Sequence, residues 1–101
     1  MFEIRREEDG SLTLSGRFDA AQLEKAEAVL QRVEEPVTVD LSGLDYISSA
    51  GLGALLRAQK RLVASRGRGL RLVRPNRHIQ DVFRFSGFDQ VFEIDAAPGT
   101  T

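Results

Sequence analysis

Apolar and polar residues alternate at the start of the chain. Phe2 and Ile4 are interleaved with Glu3 and Arg5, Leu12 and Leu14 with Ser11, Thr13 and Ser15, and Asp9-Gly10 stands between the two runs. A period of two on both sides of a turn pair predicts an edge hairpin with one buried face. After Gly16 the period lengthens. Leu23, Ala26, Leu30 and Val33 share one helical face while Glu24, Lys25, Glu27 and Gln31 lie off it, which predicts a first helix closed by Glu34-Glu35-Pro36. Asp19 stands just ahead of it, where a carboxylate accepts from free amides. Residues 37–41 are short, apolar and β-branched between Pro36 and Ser42-Gly43, the pattern of a buried strand in a sheet covered by helices. Leu52, Leu55, Leu56, Leu62 and Val63 then predict a second helix reaching about Ser65. Its stop is Arg66-Gly67-Arg68-Gly69. Leu70, Leu72 and Val73 form a further strand, and Pro75-Asn76 opens a third helix with Ile79, Val82 and Phe83 facing inward. Gly87 ends that helix, and residues 91–94 make the last strand.

Strand and helix alternate from residue 19 onward, so the expected class is α/β, a sheet with parallel crossovers behind a leading hairpin. With 101 residues, 42% hydrophobic and 29% charged, the chain has material for one domain and one modest core. We expect that domain over residues 1–96 and a frayed tail over 97–101. The absence of cysteine excludes disulfides and thiolate metal sites, and a single histidine argues against a zinc cluster. No metal or cofactor is expected. No apolar stretch approaches the roughly 20 residues of a membrane span, and the first residues lack an export signal's apolar core. The expected location is the cytoplasm, without membrane insertion.

Charge is segregated along the chain. Residues 1–56 carry five Lys/Arg against eleven Asp/Glu, whereas residues 57–84 carry nine against Asp81 alone. A basic half suggests nucleic acid, but these charges spread over two helices, a turn and a strand without aromatic interleaving. Solvated faces or a complementary protein surface fit better, and no direct nucleic-acid binding is expected.

The period switches from strand to helix at Ser48-Ser49. One of the two hydroxyls is expected to cap the second helix, a contact worth about 1 kcal/mol over alanine. The same helix end, with its free amides and positive dipole, also suits a phosphate carried on serine. Other chemistry is poorly supported. Ser49, Asp19 and His78 lack the Gly-x-Ser-x-Gly elbow that would make a hydrolase triad credible. Gly51-Leu52-Gly53 lacks both the Gly-Lys-Ser/Thr ending of a P-loop and the third glycine of a dinucleotide fingerprint. These glycines instead permit close approach of the helix to a neighbouring backbone or partner. No catalytic residue is assigned.

The run Asp40-Leu41-Ser42-Gly43-Leu44-Asp45-Tyr46-Ile47-Ser48-Ser49-Ala50-Gly51-Leu52-Gly53 resembles the signature of the STAS domain of anti-sigma-factor antagonists. Gly16-Arg17-Phe18-Asp19 resembles the family's Gly-Glu-x-Asp turn. Residues 70–73, 79–83 and 86–92 resemble its C-terminal half. This resemblance implies a STAS-like single domain, a mixed sheet with helices mainly on one side. It implies a non-enzymatic protein that binds an anti-sigma factor/serine kinase and is released on phosphorylation, with a PP2C-type serine phosphatase reversing the modification. The family's acceptor falls at Ser49, with Ala50 in the following site and Ser48 where an Asp usually stands, so Ser48 is a second candidate acceptor. The implied partner surface is Asp19, Ser48, Ser49, Gly51 and Leu52. A phosphate there is expected to act beside Asp19 and Asp40, and a bulky residue at Gly51 to weaken binding while sparing stability. The second expectation from the same fold is a STAS accessory subunit of a membrane lipid transporter, binding its ATPase without a phospho-switch.

Overall fold

The hairpin forms first in the chain order and its turn explains itself. Phe2–Arg6 (β1) and Leu12–Phe18 (β2) pair antiparallel with Ile4 opposite Leu14, and Asp9 Oδ1 accepts from both the amide and the hydroxyl of Ser11 in the turn. The computed structural model describes residues Met1–Asp95; the expected tail at 97–101 lies outside them. After β2 come a 3-10 turn at Ala20–Gln22 and the helix Leu23–Leu30 (α1). Next are the strand Val37–Ile47 (β3), the helix Ser49–Arg66 (α2), the strand Leu70–Val73 (β4), the helix Arg77–Ser86 (α3), a 3-10 turn at Phe88–Gln90 and the strand Glu93–Asp95 (β5).

The sheet runs β1-β2-β3-β4-β5, with β2 to β5 mutually parallel. Each parallel strand is laid beside its predecessor in the same direction across the sheet. Right-handed crossovers then place α1, α2 and α3 on one face. The register shows which face that is. Leu12, Val39 and Leu72 are lateral neighbours and fully buried. Alongside them, Thr13, Asp40 and Val73 point the other way; Thr13 and Asp40 are polar and half-buried there, while Val73 is covered. The core is one cluster in which Leu14, Val39 and Leu41 from the sheet meet Leu30, Leu55, Leu62, Ile79 and Phe83 from the helices.

Three expectations need correction. First, β3 does not stop at Ser42-Gly43. It runs to Ile47, because register shifts against β2 absorb the extra residues: Ser15 pairs with Gly43, Arg17 with Tyr46 and Phe18 with Ile47. These shifts leave Leu41, Leu44 and Ile47 buried at a spacing of three, which hides the strand from a period-two reading. Second, α1 ends at Leu30. Val33 is buried beyond it, and the Arg61 guanidinium of α2 donates to the Leu30 and Val33 carbonyls, closing the helix from outside. Third, Val91 and Phe92 precede the last strand. Phe92 packs edge-on against Phe83, while Val91 and Val63 are substantially exposed.

Gln59 is the one buried polar side chain among the described residues. Its Nε2 donates to the Val91 carbonyl at 2.9 Å and its Oε1 accepts from the Leu70 amide at 2.6 Å. One side chain thereby joins α2 to the start of β4 and to the turn before β5. Gln59→Leu keeps the volume but strands a buried donor and weakens an acceptor, so we expect a loss of about 2 kcal/mol in urea unfolding. Loss below about 0.5 kcal/mol would show that water replaces the amide.

Candidate functional site

Because β2, β3 and β4 are parallel, their C-terminal ends leave the sheet at one edge. Asp19 follows β2, Ser48 follows β3, and Arg74, Pro75 and Asn76 follow β4. Strand exits of this kind are where α/β sheets present their sites. Two hydrogen bonds sew the exits together. The Ser48 amide donates to the Phe18 carbonyl at 2.9 Å, and Asn76 Nδ2 donates to the Leu44 carbonyl at 3.0 Å while its Oδ1 caps α3 through the Ile79 amide.

The two serines have different duties. Ser48 is in extended conformation and its hydroxyl accepts from the Gly51 amide at 3.2 Å, so Ser48 is the cap of α2. Ser49 is the first helical residue. It is exposed, and its hydroxyl has no hydrogen-bond partner among the described residues. The cap is therefore Ser48 and the free hydroxyl is Ser49, a division the sequence left open. The first turn of α2 contains no acidic residue, which leaves its dipole uncompensated.

Gly51 is buried against the neighbouring strand exit. A Cβ there would lie 2.9 Å from the Phe18 carbonyl oxygen, 2.9 Å from Ile47 Cγ1 and 3.0 Å from Phe18 Cγ. This glycine permits an internal backbone approach, which overturns the expectation that a bulky residue spares stability. Gly53, by contrast, faces open space, with only the tip of Arg57 nearby at 3.4 Å. Leu52 is 7% exposed and belongs to the core. Asp19 is half-buried and accepts from the Ala21 amide at 3.1 Å, capping the 3-10 turn rather than α1.

Asp40 is not beside Ser49. It sits mid-strand on the open face, at least seven residues from the end of β3, and pairs with Arg74 at 2.8 Å. Burial alone would raise its carboxyl, but hydrogen bonds from the Arg74 guanidinium and the Ser42 amide outweigh that and hold it below the usual carboxylate range. His78 is an exposed residue in the first turn of α3, and no hydrogen bond joins it to Ser49 or Asp19 among the described residues. The basic segment is largely spent within the molecule. Seven of its nine side chains lie within 4.0 Å of a carboxylate, and Arg61 serves carbonyls. Sequence reasoning missed one feature at this edge: the Arg17 guanidinium lies 4.2 Å from the centre of the Tyr46 ring. The register of β2 on β3 would have been needed to see it.

The fold and this edge define a small mixed-sheet α/β domain carrying an exposed serine at a capped helix mouth. A family model described as "Mlab, STAS domain" matches residues 2–94. The chain belongs to the STAS domain family. It is 39% identical over 92 residues to BtrV of Bordetella bronchiseptica, a protein named as a candidate anti-sigma factor antagonist; the match covers 85% of this chain and 78% of BtrV. The structure resembles the crystal structure of an anti-sigma factor antagonist from Mycobacterium paratuberculosis, with a TM-score of 0.79 at 17% identity, covering 97% of this chain and 86% of that one. It also resembles the Bacillus cell fate determinant SpoIIAA in its phosphorylated form, with a TM-score of 0.66 at 21% identity over 97% of this chain and 93% of that one. Among the described residues no helix is long and apolar enough to cross a membrane.

Proposed function

We propose that this protein is an anti-sigma-factor antagonist that binds an anti-sigma factor/serine kinase when unmodified and is released by phosphorylation at Ser49. The observation that carries the reading is the split between the serines: Ser48 is occupied as a cap, while Ser49 is exposed and unengaged. The anti-sigma factor role is supported by the name of the 39% identical relative. A phosphate adds about −1.5 to −2 charge at neutral pH. At Ser49 it meets the positive end of α2, so the helix tolerates it. Asp19, at the neighbouring strand exit, adds to the negative field. The docking surface thereby changes sign without a change of fold.

In this reading Asp19, Ser48 and Ser49 face the partner directly, and Gly51 and Leu52 act by setting where the helix mouth stands. The protein is then a substrate and a binding module, not an enzyme, and a PP2C-type serine phosphatase restores it. The transporter-subunit reading stands second, because the relatives reported above bear antagonist or cell-fate names.

The test is incubation with candidate anti-sigma factor kinases and ATP, followed by mass spectrometry of residues 46–57. One phosphate on Ser49, with loss of the complex, is the expected result. Modification confined to Ser48, or a complex that survives modification, overturns the assignment of Ser49. Capture of a transporter ATPase in place of any kinase overturns the antagonist reading.

A further inference from the structure

Arginine is abundant in this chain, and most of it is already paired. Eight of the twelve arginines lie within 4.0 Å of a carboxylate. Arg6 and Arg61 donate to backbone carbonyls instead. Among the described residues this leaves Arg17 and Arg32 with neither kind of partner. They differ in one respect that matters: among the described residues no aromatic ring holds Arg32, whereas Arg17 is laid over Tyr46 at the strand edge that carries Ser48 and Ser49.

The seat is built by the sheet. Arg17 and Tyr46 are cross-strand neighbours on β2 and β3, one residue before the Phe18–Ile47 pair, and the Arg17 amide is held by the Met1 carbonyl at 2.9 Å. The next residue, Phe18, presents the carbonyl that receives the Ser48 amide. A cation resting on a ring face is attracted by the ring's quadrupole, and this interaction uses none of the guanidinium's in-plane N–H donors. Arg17 is therefore exposed, oriented, and still able to give a planar two-point hydrogen bond to a carboxylate. An arginine pre-set in this way loses less freedom on binding than a free one. Arg on an aromatic platform is also the composition that dominates interface energetics.

The geometry points to Arg17 as the specificity-determining cation of the docking edge: it selects a partner that places an Asp or Glu side chain against the Arg17–Tyr46 stack. The identity of that partner as an anti-sigma factor rests on the reading proposed above; the demand for a carboxylate does not. The charge pattern agrees with this. Residues 1–56 are acidic in sum, and in the chain Asp19 follows Arg17 by two residues and Asp45 directly precedes Tyr46, so a cation here is a point of opposite sign in a half that is net negative. A partner that is uniformly basic would be repelled at this point.

The closing experiment has two arms run on the full chain. In the first, hexaglutamate is titrated into isotope-labelled protein and the arginine Nε–H resonances are followed by NMR, with hexalysine as control. The Arg17 resonance is expected to shift more than that of Arg32, and the shift is expected to collapse at about 1 M salt. An unmoved Arg17, or equal movement of Arg32, overturns the proposal. In the second arm, the affinities of Arg17→Ala and Arg17→Glu are measured for whichever anti-sigma factor captures the wild type. A loss on the order of tenfold is expected for Arg17→Glu and less for Arg17→Ala, with melting temperatures unchanged; equal affinity across the three overturns the proposal. If no anti-sigma factor captures the wild type while hexaglutamate still moves Arg17, the carboxylate-selecting edge stands and the antagonist reading falls.

Discussion

Ser49→Asp is expected to lower affinity for the anti-sigma factor by roughly a hundredfold, close to 3 kcal/mol, while the protein becomes slightly more stable. The two effects have separate causes. Affinity falls because a fixed negative charge is placed where the phosphate would be, within a surface that the partner must desolvate. Stability rises because the first turn of α2 lacks an acidic residue, and a carboxylate at that end is worth about 0.3–1 kcal/mol against the dipole. Ser49→Ala should block phosphorylation, keep binding constitutive and leave stability within about 0.5 kcal/mol, since its hydroxyl caps nothing. Ser48→Ala is the contrasting variant. It removes the acceptor for the Gly51 amide and should cost about 1 kcal/mol. Were Ser49 the cap, stability would fall in the order serine, aspartate, alanine. With Ser48 as the cap the order becomes aspartate above serine and alanine. Melting curves and partner affinities for the four proteins decide it. If affinity merely follows stability, Ser49 is a structural residue and the switch is wrong.

Gly51→Val should cost about 3 kcal/mol and take partner binding with it. An added Cβ gains up to about 1 kcal/mol of helix propensity, but it would meet the Phe18 carbonyl and Ile47 closer than such atoms come. The carbonyl cannot yield cheaply, because it also receives the Ser48 amide. Moving it disturbs the Ser48 cap, the position of Ser49 and the exit of β2 together. For a domain of this size the melting temperature should fall by more than 10 °C, at about 4–8 °C per kcal/mol. Gly53→Ala is the control, since its Cβ meets only the mobile end of Arg57. It should be neutral or stabilising. A Gly51→Val protein with wild-type melting would show that the strand exit is softer than its hydrogen bond implies.

Elements governed by local periodicity were legible in the chain. The alternation of Phe2, Ile4, Leu12 and Leu14 gave the hairpin, and Gly67 and Gly87 stand at the left-handed ends of α2 and α3 as read. Asn76 opens α3, and Ser48-Ser49 stands at the mouth of α2. The site's location followed from these, since the switch of period between β3 and α2 marks a strand exit whatever the rest of the chain does. What failed locally failed where two strands had to be compared. The run from Ser42 to Ile47 reads as a turn, yet β2 holds it as strand by shifting register.

The sequence by itself determined the α/β alternation, the single core and the family, because side-chain period and turn residues act over a few neighbours. Only the tertiary structure decided which serine caps and which is free, because that depends on where the Ser48 amide finds the Phe18 carbonyl, thirty residues earlier in the chain. The same holds for Gly51, whose need for no side chain is set by β2, and for Asp40, whose partner Arg74 lies two elements away. It holds also for Arg17, a lone cation in sequence that becomes a seated one when β2 and β3 align it with Tyr46. Periodicity carries the path of the chain. Contacts between distant segments carry the division of labour among its residues.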